Sequence, residues 1–183
     1  LQQLAGASQA YEDLETCVLA CERVAAALSE KLPSDAFEVH LVRMSLAAAR
    51  ANSGDRATAL ASLREVAASF KRILADDDEQ LLGTLDQMGY LQRVTRDFAG
   101  AQATFERALA TRERTLPADH TRVLAARRQL FLVLWESAQH ERAHALSELN
   151  LASLERTLPE GHAQLQRMRG EVANLAFNAG HLD

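Results

Sequence analysis

The string His140-Glu-Arg-Ala-His144 has the spacing of a zinc hydrolase site. Two histidines one helical turn apart can share a metal, and the glutamate between them can activate a bound water. Such a site also needs a third protein ligand. No Gly-x-x-His follows, and the acids downstream, Glu148, Glu155 and Glu160, form no matching signature. Metal binding by His140, Glu141 and His144 is therefore considered and rejected, and no cofactor is expected. Cys17 and Cys21 also stand one turn apart, but Ala59 and Leu63 occupy the corresponding places further along, so both thiols are expected to be buried as small hydrophobes. Asp76-Asp-Asp-Glu79 lacks the glycine and alternating ligands of a calcium loop and reads as an acidic helix start. No nucleophile–base pair, Gly-rich phosphate loop or paired carboxylates stand in a recognisable context, so no enzymatic activity is expected.

Composition narrows the field further. The runs are rich in Ala, Leu, Arg and Glu, good helix formers, and only eight Gly and three Pro interrupt 183 residues. A formal charge of −5 gives no general attraction to a phosphate backbone, and no basic stripe compensates, so nucleic acid is not an expected partner. No apolar run has membrane-spanning length and no signal-peptide pattern opens the chain. A cytoplasmic, reducing location with no membrane contact is the default expectation.

The elements that must position any site follow from a repeat. Arg114-Thr-Leu-Pro-Ala-Asp-His120 returns as Arg156-Thr-Leu-Pro-Glu-Gly-His162, a spacing of 42 residues, and Leu32, Leu74, Leu116 and Leu158 share that register. A period of this size marks a stacked array of supersecondary units. Apolar residues at spacings of three and four predict helices over 14–32, 35–51, 56–74, 80–94, 98–115, 121–137, 140–157 and 163–178. A shorter helical segment at 1–5 is expected to end near Gly6. Pro33 stops one helix, Ser34 or Asp35 is expected to cap the next, and Gly54 suits a left-handed helix stop. The units are expected at 1–32 (partial), 33–74, 75–116, 117–158 and 159–183 (partial), within a single array cut from a longer polypeptide. The terminal helices are expected to exchange their amides fastest.

Small residues recur at Cys17, Ala59, Ala101 and Ala143, and again at Ala47, Gly89 and Ala173, where two helices must approach closely. With the leucine register and the Leu-Pro-x-x-His turn, this resembles the tetratricopeptide repeat (TPR), in the 42-residue form of kinesin light chains. The resemblance implies an all-α fold, an α-α superhelix or solenoid of about four helical hairpins. The third unit departs from it. Phe131 fills a slot for a small residue, and Arg112, Ser147 and Asn150 stand where apolar groups prevail, so a splayed or shifted third unit is expected.

In that family the first helices of successive units line a concave groove for a peptide or partner helix. Register alone carries the groove over to Asn52, Asp86, Tyr90, Arg93, Arg128, Leu132, Trp135, Asn174, Phe177 and Asn178. Trp, Tyr and Arg commonly anchor interfaces, Asn can grip a bound backbone, and Arg can meet a carboxylate. Packing of Tyr90 and Trp135 between units is the competing reading. The expected function is a non-catalytic scaffold binding a protein or peptide segment. The alternatives are a bacterial regulatory module sensing a signalling peptide, and self-association through end helices.

Overall fold

A computed structural model gives the structure of residues 2–178, with side chains described from 13 to 176. The described residues form eight helices and no strand: α1 (Gln2–Lys31), α2 (Phe37–Asn52), α3 (Arg56–Ile73), α4 (Glu79–Val94), α5 (Phe98–Thr115), α6 (Thr121–Glu136), α7 (His140–Thr157) and α8 (Ala163–Asn178). No helix among them is long and apolar enough to cross a membrane. The chain divides into two compact units, Leu1–Leu91 and Gln92–Asp183.

In the N-terminal unit, α2 packs on both α1 and α3. The small residues do what their spacing predicts. Ala47 and Ala59 are fully buried, letting α2 and α3 approach, while Leu63, Val66 and Phe70 fill the seam beneath. His40 is buried with them, its ring 5.5 Å from Phe70 and edge-on to it. Thr84 of α4 reaches α2 through its hydroxyl, 3.2 Å from Met44 Sδ.

In the C-terminal unit, α5, α6, α7 and α8 pack each on the next. Ala101, Phe105, Leu109, Val123, Leu130, Val133 and Ala143 form one core cluster. A polar staple accompanies it. Arg127 is 6% exposed; its Nε and Nη2 donate to Glu113 Oε1 at 2.9 and 2.7 Å, and its Nη1 donates to the Ala118 carbonyl at 3.3 Å and to Ser153 Oγ at 3.4 Å. One guanidinium thus ties the end of α5, the repeated turn and α7 together.

The 42-residue period recurs in the turns. Between hairpins, the amides of Ala36, Asp78, His120 and His162 donate to the carbonyls of Pro33, Ala75, Pro117 and Pro159 at 2.9 to 3.1 Å. The next helix is then capped from the same position. Asp78 Oδ1, His120 Nδ1 and His162 Nδ1 accept from the amides of Gln80, Arg122 and Gln164 at 2.8, 3.2 and 3.2 Å. The acidic turn at 76–79 is therefore a capped helix start. Within hairpins, Gly54, Arg96 and Ala138 each take positive φ, at 100°, 63° and 61°. Asp55 and Asp97 cap the helices that follow, accepting from Thr58 and Gly100 amides at 3.2 and 3.0 Å.

Three expectations need correction. No break separates 2–5 from 14–32: α1 runs unbroken from Gln2 to Lys31, because Gly6 alone costs a helix only about 1 kcal/mol and no proline accompanies it. Neither Ser34 nor Asp35 caps α2; the N-cap is Ala36, with no side-chain bond, since the turn closed on Pro33 places Ser34 and Asp35 before the cap position. Cys17 is exposed and Cys21 only half-buried. They share the register of Ala59 and Leu63, but α1 packs on α2 alone among the described elements, leaving the face that carries Cys17 open.

Candidate functional site

The departures in the third repeat explain where space is left. Ser147 and Asn150 of α7 hold the register positions that Leu63 and Val66 fill in α3, and Phe105 and Ala108 in α5. A serine in place of phenylalanine or leucine leaves volume that backbone packing recovers only in part. The result is a cavity of about 340 Å³. Its walls come from three helices: Arg128, Phe131, Leu132 and Trp135 of α6, Ser147 and Asn150 of α7, and Met168, Glu171, Asn174 and Leu175 of α8. Helix α7 is its floor, and α6 and α8 flank it without packing on each other.

The chemistry of the lining is mixed. Phe131 and Trp135 lie with ring centroids 6.2 Å apart and planes 22° apart. Trp135 also meets the His140 ring edge-on at 4.5 Å. Both aromatic side chains remain partly exposed. Ser147 Oγ donates to the Ala143 carbonyl at 3.2 Å, the local bond a helical serine commonly makes. Asn150 is 5% exposed; its Nδ2 makes one long bond to the Leu124 carbonyl at 3.4 Å, and its buried Oδ1 has no partner. A buried acceptor left open costs about 1–3 kcal/mol.

The positions expected from register are distributed as follows. Arg128, Leu132, Trp135 and Asn174 come together on this cavity. Arg93 lies in the same unit but outside the lining, its guanidinium paired with Glu136. In the N-terminal unit, Asn52 is exposed at the last residue of α2, Asp86 is half-buried, and Tyr90 is 50% exposed. Phe177 and Asn178 lie outside the residues whose side chains are described. Reading inward positions of the first helices alone omits Ser147 and Asn150, which belong to a second helix. Their polarity at seam positions was the signal that could have found them.

The H-E-x-x-H string is the first turn of α7. His140 faces Trp135, and His144 Nδ1 lies 3.6 Å from Glu148 Oε2 on the next turn. Among the described residues, no group of three or more His, Cys, Asp or Glu side chains is placed to hold a metal ion.

No family model matches the chain, and no curated protein matches it. Solved structures do. A crystal structure from Podosopora anserina, described as a kinesin light chain with nearly identical TPR-like repeats, aligns at a TM-score of 0.85 with 22% identity, over 98% of this chain and 85% of that one. A substituted variant of that same protein aligns at 0.84 with 22% identity, over 98% and 84%. BtubC (BKLC) from P. vanneervenii aligns at 0.68 with 20% identity, over 93% and 67%. By fold, the chain is an all-α array of TPR-like helical hairpins, similar to these kinesin-light-chain-type structures.

Proposed function

We propose that this chain is a non-catalytic interaction module whose α6–α8 cavity anchors a peptide segment of a partner protein. The observation that carries this reading is the convergence of Arg128, Leu132, Trp135 and Asn174, each placed by repeat register, on one cavity with an apolar wall and polar edges. A volume of about 340 Å³ suits one large side chain of a bound segment. In the N-terminal unit, Asn52, Asp86 and Tyr90 are the corresponding contact positions, and Arg93, Phe177 and Asn178 extend the set in the C-terminal one.

The test is partner capture by the intact protein and by a variant with Arg93, Arg128 and Trp135 replaced together, both verified as helical by circular dichroism. Selective loss of one or more partners is expected from the variant. Equal recovery of every partner would remove the groove as drawn. A Trp135 emission spectrum fully shielded from quencher would remove Trp135 from it.

A further inference from the structure

A second cavity of about 210 Å³ adjoins the first and shares Arg128, Asn150 and Met168 with it. It lies at the N-terminal turns of α6 and α8, which contribute Thr121 and Gln164, and Arg167 of α8 joins Arg128 of α6 in its lining. No carboxylate lines it. Neither α6 nor α8 has an acid in its first turn. The positive ends of two helix dipoles and two guanidinium groups therefore border one space. Arg128 and Arg167 are exposed, and neither forms an ion pair among the described residues. Asn150, buried and with its Oδ1 unpartnered, adds an acceptor that awaits a donor.

We propose that this second cavity binds the phosphoryl group of a phosphorylated side chain, with Asn150 Oδ1 accepting a backbone N–H of the same bound segment. The proposal rests on the peptide reading above. A phosphate monoester has three terminal oxygens, enough for two guanidinium forks arriving from different helices and for the Thr121 hydroxyl. A carboxylate is satisfied by one bidentate arginine. The dianion of a phosphate monoester has no donor for Asn150, so a backbone N–H of the bound segment supplies it.

The test titrates the protein with N-acetyl-phosphoserine N-methylamide, its aspartate and unphosphorylated serine analogues, and inorganic phosphate, following the amide resonances of Thr121 and Gln164. The phosphoserine amide is expected to bind at least about tenfold more tightly than the other three, and Arg128→Gln or Arg167→Gln should each weaken it about tenfold, in keeping with charge-assisted hydrogen bonds. Both arginines are exposed, so the variants should keep their fold. Equal binding of the aspartate analogue, equal binding of inorganic phosphate, or no binding of the phosphoserine amide overturns the proposal. If the probes fail while Trp135→Ala still loses a partner, the phosphoryl site is wrong and the peptide reading stands.

Discussion

Single residues set the quality of each turn, and the repeat makes their differences measurable. Asp78, His120 and His162 cap their helices from one register position, where α2 has Ala36. Ala36→Asp should therefore stabilise the protein by about 1 kcal/mol in urea unfolding, the usual worth of such a cap. Gly54 adopts its left-handed φ freely, but Arg96 and Ala138 hold the same conformation with a Cβ. A non-glycine residue there costs about 1–2 kcal/mol, partly offset by the extra freedom glycine has when unfolded. Ala138→Gly, at an exposed site, should raise the melting temperature, and an unchanged or lower value would contradict the strain. His40 gives a pH dependence. Burial pushes its imidazole below the ordinary value, Arg43 and Arg72 add to this, and Asp35 opposes it. Its folded form thus holds a proton less readily than the unfolded chain, so its stabilising contribution is full above the unfolded pKa of about 6.5 and is lost as pH falls through the lower folded value. His40→Leu should flatten the stability profile below about pH 6.5 relative to the wild type.

Elements differ in how much they bury. Helices α3, α5 and α6 each present several fully buried apolar side chains, whereas the described apolar core of α8 is Leu165 and Leu175, and α1 contributes no buried side chain among its described residues. Hydrogen exchange should therefore be fastest in α1 and α8 and slowest in the centres of α5 and α6, because local opening costs less where less area is buried. Uniform protection across the helices would contradict this. The same reasoning makes Phe105→Ala, in the best-filled seam, costly by about 3–5 kcal/mol.

For the molecule as a whole, the cavity is a place where packing was left incomplete. Asn150→Val would install the side chain found at Val66 of the corresponding helix and would remove a buried, unpartnered acceptor. It should stabilise the fold by about 1–2 kcal/mol. Partner capture should fall at the same time, a trade commonly found at functional sites. Increased stability with undiminished capture would mean that Asn150 takes no part in recognition.

The sequence alone determined the period, most of the helix ends and the fold, because the apolar spacing and the turn at Leu116-Pro-Ala-Asp-His120 repeat locally and need no knowledge of distant partners. It also marked Phe131, Ser147 and Asn150 as misfits. Their consequence was hidden, since a misfit can be met by a splayed hairpin or by an unfilled space, and only the packed helices choose. Helix α7 still packs on α6, and the volume left by the misfits stands open as cavities. Likewise, the register placed Arg93 and Arg128 on equal terms. Tertiary structure separated them, pairing Arg93 with Glu136 and leaving Arg128 between two cavities, because an ion pair depends on what stands opposite and register does not record that.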